Sequence, residues 1–306
     1  MTIRSLNLLI LFLLALHGST AQTTLPQVKC CKDKKEPEKP QIIKLAMKCD
    51  VAGVTDLIAN GTPVETKDEE GNTLLKYAVE AQCEKLIDFL ITAGADINAP
   101  SVYHRTPFSS ATSTGPATLV KRLIALGADV NAKDKFGWTI LFDPKDFAVM
   151  KALVEAGSDL NAQDKNGFTA LIHAAMGCRE EQIAYLVGKG ADVNARNELG
   201  LTALHMASCP YPGALESLLS GGSDINARDN HGRTPLMTTM GYPDTTELFI
   251  KAGADVNLTD KRGRTALDYA LKIDTFRKEI VALLKNAGAV SGNSQTNRRS
   301  TRARKP

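Results

Sequence analysis

The hexapeptide GADVNA occurs at residues 127–132 and again at 190–195, and near-copies stand at 94–99 (GADINA), 157–162 (GSDLNA), 222–227 (GSDINA) and 253–258 (GADVNL). Their asparagines follow one another at spacings of 33, 30, 33, 32 and 31 residues. A second register keeps the same period: GNTLLKYA (71–78), HRTPFSSA (104–111), GWTILFDP (137–144), GFTALIHA (167–174), GLTALHMA (200–207), GRTPLMTT (232–239) and GRTALDYA (263–270). A fixed period of this length dictates architecture before any single residue is considered. One unit of some thirty residues cannot bury its own apolar face, so the units must stack, each stabilised mainly by its neighbours.

The residue types inside a unit follow from local physics. Thr is the third residue of each second-register copy and can cap a helix by accepting backbone N–H groups. Thr106-Pro107 and Thr234-Pro235 put Pro at the first helical position, where no N–H is needed. A second helix shows apolar residues at 3.6-residue spacing, as in Leu86, Ile87, Phe89 and Leu90, or Ile183, Tyr185, Leu186 and Val187. Gly94, Gly127, Gly157, Gly190, Gly222 and Gly253 then end it, because Gly takes the left-handed cap conformation without a Cβ clash.

These residues resemble the ankyrin repeat, whose signature joins a turn Asp and Gly to Thr-Pro-Leu-His and a closing Gly-Ala-Asp-Val-Asn. The resemblance covers roughly residues 41–290 in seven in-phase copies, and IIKLAMKC ahead of NGTPVE (60–65) reads as a degenerate N-terminal half-copy acting as a cap. It implies an all-α solenoid of stacked helix-turn-helix units with β-hairpin loops. It also implies that the loop tips project from the stack and meet protein partners.

Departures from the pattern carry further information. The unit beginning at Thr139 is three residues short and reads Phe142-Asp143-Pro144 where its neighbours continue, which predicts a first helix cut short. Pro116, Pro212 and Pro243 mark helix-to-helix turns. His104 replaces the tip glycine, so a differently shaped turn is expected there. His205 holds the Thr-x-Leu-His position and is expected to serve as a structural hydrogen-bonding residue, with His173 a helix residue of similar kind.

The termini differ from the repeat region. Arg4 precedes the apolar run Leu6–Leu16, and small residues lead to a cut after Ala21, the pattern of an export signal over 1–21. Eleven apolar residues are too few to span a bilayer. Residues 22–40 read as a charged linker, and 291–306 as a disordered basic tail holding Arg298, Arg299, Arg302, Arg304 and Lys305. Between them residues 22–290 carry 31 basic and 34 acidic residues, so the formal charge of +3 lies at the ends. The tail is open to weak contact with an anionic surface, and no specific nucleic-acid motif accompanies it. The expected destination is a periplasm or the extracellular space.

Cysteine usage agrees with export. Cys49 and Cys83 fall near the ends of first helices in adjacent units, as do Cys178 and Cys209, so two disulfides between neighbours are expected, with free buried thiols as the alternative. Cys30 and Cys31 are open to an adjacent bridge, an intermolecular link or free thiols. No CxxC or HxxxH spacing supports zinc, no motif implies a cofactor, and HExxH, GxSxG, GxxxxGK[ST] and GxGxxG are all absent, so no enzyme activity is expected. Asn257-Leu258-Thr259 is a glycosylation sequon if the source is eukaryotic.

The tips become the candidate binding residues: Tyr103, Arg105, Phe136, Trp138, Phe168, Leu199, Leu201, Arg233 and Arg264. The first tip, with Glu69 and Glu70, is acidic, the middle ones are aromatic or apolar, and the last two are basic. Trp, Tyr and Arg are favoured contact residues. The expected function is an exported protein-interaction scaffold that works through its hairpin tips and concave face. Two alternatives stand beside it: a secreted effector or inhibitor of another enzyme, and an envelope protein held by its basic tail.

Overall fold

The computed structural model describes residues 39–144, 146–209, 212–273 and 277–292. The export signal, nearly all of the linker, Cys30, Cys31 and the tail from residue 293 lie outside the described residues; Ser291 and Gly292, expected to be disordered, instead hydrogen-bond to Asp268. The described residues belong to one compact unit beginning at Lys39. The described part is all helical. It holds no strand, only two isolated antiparallel bridges, Lys67 with Thr73 and Lys133 with Thr139, so the tips expected as β-hairpins are tight turns.

Fifteen helices are described. The first members of the successive pairs are α1 (Gln41–Met47), α3 (Leu74–Glu80), α5 (Pro107–Thr114), α8 (Ala170–Met176), α10 (Ala203–Met206), α12 (Pro235–Thr238) and α14 (Ala266–Ala270). The second members are α2 (Val51–Ala59), α4 (Glu84–Thr92), α6 (Ala117–Ala125), α7 (Phe147–Glu155), α9 (Glu180–Gly188), α11 (Gly213–Ser220), α13 (Pro243–Lys251) and α15 (Arg277–Asn286). First helices pack on first helices in two runs, α1–α3–α5 and α8–α10–α12–α14. Between the runs the unit of residues 133–157 has no first helix among its described residues, a larger departure than the shortened one expected. Pro144 denies a donor to any helix continuing through it, and the chain turns instead, still delivering Leu141 and Phe142 to the core at 1% and 2% exposure. The second-helix row is uninterrupted there, α6 on α7 on α9.

Threonine capping is visible in most units. Thr73, Thr106 and Thr169 accept from the N–H groups of Lys76, Ser109 and Ile172, and Thr202 and Thr265 form capping boxes with His205 and Asp268. Thr139 has no helix to cap, and its buried hydroxyl has no hydrogen-bond partner among the described residues. Pro116 and Pro212 stand at the N-caps of α6 and α11, and Pro243 opens α13, as the sequence suggested.

The asparagine of each closing motif bonds to the next unit. The side-chain oxygens of Asn98, Asn131, Asn161, Asn194 and Asn226 accept from the N–H groups of Asp129, Asp159, Asp192, Asp224 and Asp255 at 2.8–2.9 Å. Glu65 replaces the first rung by accepting from Asp96 N at 2.8 Å. Asn257 supplies the last, accepting from Val290 N at 2.9 Å and donating to the Gly288 carbonyl at 3.1 Å, so the amide of the sequon is already engaged in the stack. Such bonds join exposed backbone of successive units, and each is worth about 0.5–1.5 kcal/mol.

At the opposite end of the first helices, two disulfides clamp adjacent inter-helix turns. Cys49 pairs with Cys83 and Cys178 with Cys209, with Cα–Cα separations of 5.6 and 5.5 Å. Cys49 and Cys178 occupy the same place in their units, the left-handed residue between the two helices, at φ 58° and 51°.

Candidate tip-turn binding surface

Every tip is built by one polar side chain that folds the backbone over itself. Asp134 Oδ1 accepts from Phe136 N at 2.8 Å and from Trp138 N at 3.0 Å, and Asp164 does the same for Asn166 and Phe168. Asp68, Asn197, Asp229 and Asp260 repeat the arrangement, and in the second tip Ser101 substitutes with longer bonds of 3.4 and 3.3 Å to Tyr103 N and Arg105 N. Successive tips are chained by single backbone bonds: Val102 N to Glu70 O, Lys135 N to Tyr103 O, Lys165 N to Phe136 O, Glu198 N to Asn166 O, Asn230 N to Leu199 O and Lys261 N to His231 O. The result is a ribbon of seven tips along one edge of the stack.

Gly137, at φ 81°, divides the tip into two sides. The residue before the left-handed position points to solvent, and the residue after it turns inward over its own helix in every tip but the second, where Arg105 stays exposed. His104 occupies that position at φ 58° and makes the same bonds as its glycine counterparts, N–H to Ser101 O at 2.9 Å with Ser101 N to Arg105 O at 2.9 Å. The second tip therefore has the ordinary shape, contrary to the expectation from sequence, and the strain of a left-handed side chain replaces a change of form.

This division corrects several candidate contact residues. Leu201 is buried at 1%, Arg233 at 6% and Phe168 at 9%, so none presents a side chain for docking. Leu201 and Phe168 follow the tip glycine and pack inward. Arg233 is paired within its own tip, its Nε and terminal nitrogen each 2.6 Å from Asp229 Oδ2. Arg264 is part-buried in the same way, 2.8 and 2.7 Å from Asp260 Oδ2, with Tyr269 closing the group. The Asp-x-x-x-Arg spacing at 229/233 and 260/264 was the available signal.

Trp138 also turns inward. Its ring lies 4.7 Å from the ring of His173 in the next unit and 5.9 Å from Phe142, and His173 in turn meets Phe142 at 5.2 Å and Phe168 at 5.5 Å. The absent first helix leaves this space, and aromatic side chains fill it. In the first and last tips the residue equivalent to His173 is a tyrosine. Tyr77 donates to Asp68 Oδ2 at 2.5 Å and accepts from Lys39 at 2.8 Å, and Tyr269 donates to Asp260 Oδ2 at 2.9 Å. Burial, and then the bond to Asp260, pushes the Tyr269 hydroxyl up to about 12.

His173 therefore differs in kind from His205. Its Nε2 is buried within the cluster without a hydrogen-bond partner among the described residues, and burial pushes the imidazole down to about 4, against the opposing pull of Asp164 and Asp143. His205 is fully used. Its Nδ1 accepts from Thr202 N at 3.2 Å, and Nε2 lies 3.1 Å from the Arg233 carbonyl of the following tip. That pattern needs the neutral ring with its proton on Nε2, and burial pushes this imidazole down to about 4 as well.

What remains outward is concentrated in the second and third tips. Val102, Tyr103 and Phe136 are 58%, 45% and 52% exposed. The Lys135 ammonium stands between the two rings, 4.2 Å from the Tyr103 centroid and 4.9 Å from that of Phe136. Arg105 is exposed beside them, and Leu199, two tips further on, is half-buried. Val102 and Lys135 belong to these tips in sequence but were not among the candidate binding residues, although Tyr103 and Lys135 stand one repeat apart, the spacing that brings side chains of neighbouring tips together. No group of three potential metal ligands occurs among the described residues.

The family description "Ankyrin repeats (3 copies)" matches residues 42–134, 138–229 and 208–295. The chain belongs to the ankyrin-repeat family. Its fold resembles the ankyrin repeat domain of human ASB11, with a TM-score of 0.60 at 19% identity, covering 71% of this chain and 99% of that one. A stretch of 78 residues, 26% of the chain, is 37% identical to the human transient receptor potential cation channel subfamily A member 1, and spans 7% of that protein's length. Ankyrin repeats are in general protein-interaction modules, and the family is typically a binding scaffold rather than an enzyme. No helix of the described residues is long and apolar enough to cross a membrane.

Proposed function

We propose that this ankyrin-repeat chain is an exported scaffold that binds a protein partner on the second and third tips. The observation that carries the reading is the outward cluster of Val102, Tyr103 and Phe136 around Lys135. Large apolar side chains standing together in water are a contact surface, and rigid aromatics supply affinity with little entropy loss on binding. Apart from Arg105, the inward side of the same ribbon is given to packing and internal ion pairs, which fixes the outward side in place. Export is supported by the N-terminal sequence pattern and by two disulfides, which persist in an oxidising compartment.

The test compares the full chain with a Tyr103→Ala/Phe136→Ala variant, each recovered from the compartment to which its own cells deliver it. Both proteins should unfold at the same denaturant concentration and begin at Gln22, while the variant loses captured partner. Equal capture by both proteins would refute the tip surface, and retention of residues 1–21 on the mature chain would refute export by cleavage.

A further inference from the structure

The tips sort by charge in a way that defines what they accept. In the second, third and fourth tips the outward charged side chains are Arg105, Lys133, Lys135 and Lys165, all exposed and joined by His104. None of these four cations makes an ion pair among the described residues. Lys133 reaches only the Gln163 carbonyl, at 3.4 Å. The acids that accompany them face the other way: Asp134 and Asp164 spend their carboxylates on tip backbone N–H groups, and the second tip carries the neutral Ser101 in that place. The patch has limits. Exposed Glu69 and Glu70 stand on the tip before it, and exposed Glu198 on the tip after it.

We infer that the second to fourth tips bind an extended acidic segment of a protein partner, whose apolar side chains seat against Tyr103 and Phe136 while its carboxylates meet Arg105, Lys135 and Lys165. The inference rests on the tip-surface reading above and adds the class of partner. Neighbouring units repeat at about 8–10 Å, the spacing of packed helices. An extended chain in the polyproline-II conformation advances about 3.1 Å per residue and brings every third side chain to the same face. One residue in roughly three therefore meets each successive tip, so an acidic segment with an apolar residue every third position matches the ribbon. The flanking glutamates repel any anionic polymer that continues past three tips, which favours a short peptide over a nucleic acid. The Lys135 ammonium already lies over both rings, so a carboxylate brought to it is held at the edge of the aromatic pair rather than in open water.

Fluorescence anisotropy with the full chain and a labelled short peptide of repeated Asp-Glu-Phe triplets tests this, beside a Lys-Arg-Phe peptide of equal length and oligothymidine. The acidic peptide should bind, weaken as salt is raised, and lose about tenfold or more with Lys135→Glu or Phe136→Ala, as expected of an anchor and its charge partner. Lys85→Glu, on α4 and exposed, should leave binding unchanged. Acidic-peptide binding that ignores the tip variants, equal binding of the basic peptide, tighter binding of oligothymidine through the same residues, or no binding at all would each overturn the inference. If partner capture is lost in the Tyr103→Ala/Phe136→Ala variant while the acidic peptide fails to bind, the acidic class is wrong and the tip surface stands; if capture is unaffected, the surface itself is wrong.

Discussion

The indole of Trp138 rests 4.7 Å from the imidazole of His173, one unit further along the stack. An aromatic beside a tip glycine looks like a contact residue in sequence, but here it bridges two units where a helix is missing. Trp138→Ala should therefore lower stability by about 2–3 kcal/mol, below the roughly 3–5 kcal/mol of a fully buried aromatic because part of the ring is exposed. Partner capture by the folded variant should be unchanged. Denaturant midpoints and capture measured on the same preparation separate the two effects. Lost capture with an unaltered midpoint would return Trp138 to the binding surface.

The two buried imidazoles make stability fall with acid. Each has a folded pKa of about 4 against an ordinary value near 6.5, so the unfolded chain binds the proton first. Their contribution is fully present above about pH 6.5 and is lost as pH falls toward 4. Below that the carboxylates take over, since burial would raise Asp68, Asp260 and Asp268 but their hydrogen bonds outweigh it and hold them low. Urea midpoints between pH 7.5 and 4.5 should decline for the natural protein, and decline less for His173→Phe, which removes one titration and keeps an aromatic. A His173→Phe profile parallel to that of the natural protein would show that His173 is protonated in the native state.

How far the sequence revealed this molecule depends on which side of a glycine one considers. The stack, the capping threonines, the Asn positions and both cysteine pairs follow from one periodicity, because nearest-neighbour stacking makes equivalent positions meet. Exposure within a tip does not. Tyr103 and Phe136 precede the left-handed residue and point out, whereas Trp138, Phe168, Leu201 and Arg233 follow it and point in. Aromatic, aliphatic and basic residues occur on both sides, so residue type alone does not distinguish them and backbone geometry must. The missing helix was half legible: Pro144 announced a break, but that Phe142 and Trp138 would fill the gap required the neighbouring His173.

Each disulfide spans about one unit, with separations of 34 and 31 residues. Loop-closure entropy for such lengths gives roughly 3–4 kcal/mol per bridge. Replacing Cys178 and Cys209 together by Ser should lower the unfolding free energy by that order while preserving the helical circular dichroism signal. The pair should also be found by peptide mapping without reductant, as should Cys49 with Cys83. Free thiols at all four positions in protein taken from its own compartment would contradict the pairing.

His104 offers a change that should improve the fold. It holds φ at 58° where the equivalent glycines range from 74° to 81°, and its side chain is exposed, so nothing packed is lost on removing it. A left-handed residue with a Cβ costs about 1–2 kcal/mol relative to glycine. The greater freedom of glycine in the unfolded chain returns roughly 0.4–1 kcal/mol of that. His104→Gly should thus stabilise the protein by about 0.5–1 kcal/mol, and His104→Val, branched at Cβ, should destabilise it by at least as much. The sign difference between the two variants is the discriminating measurement. Were both to destabilise equally, the imidazole itself would be holding the tip, and the ordinary shape of this turn would owe more to His104 than to the Ser101 and backbone bonds that surround it.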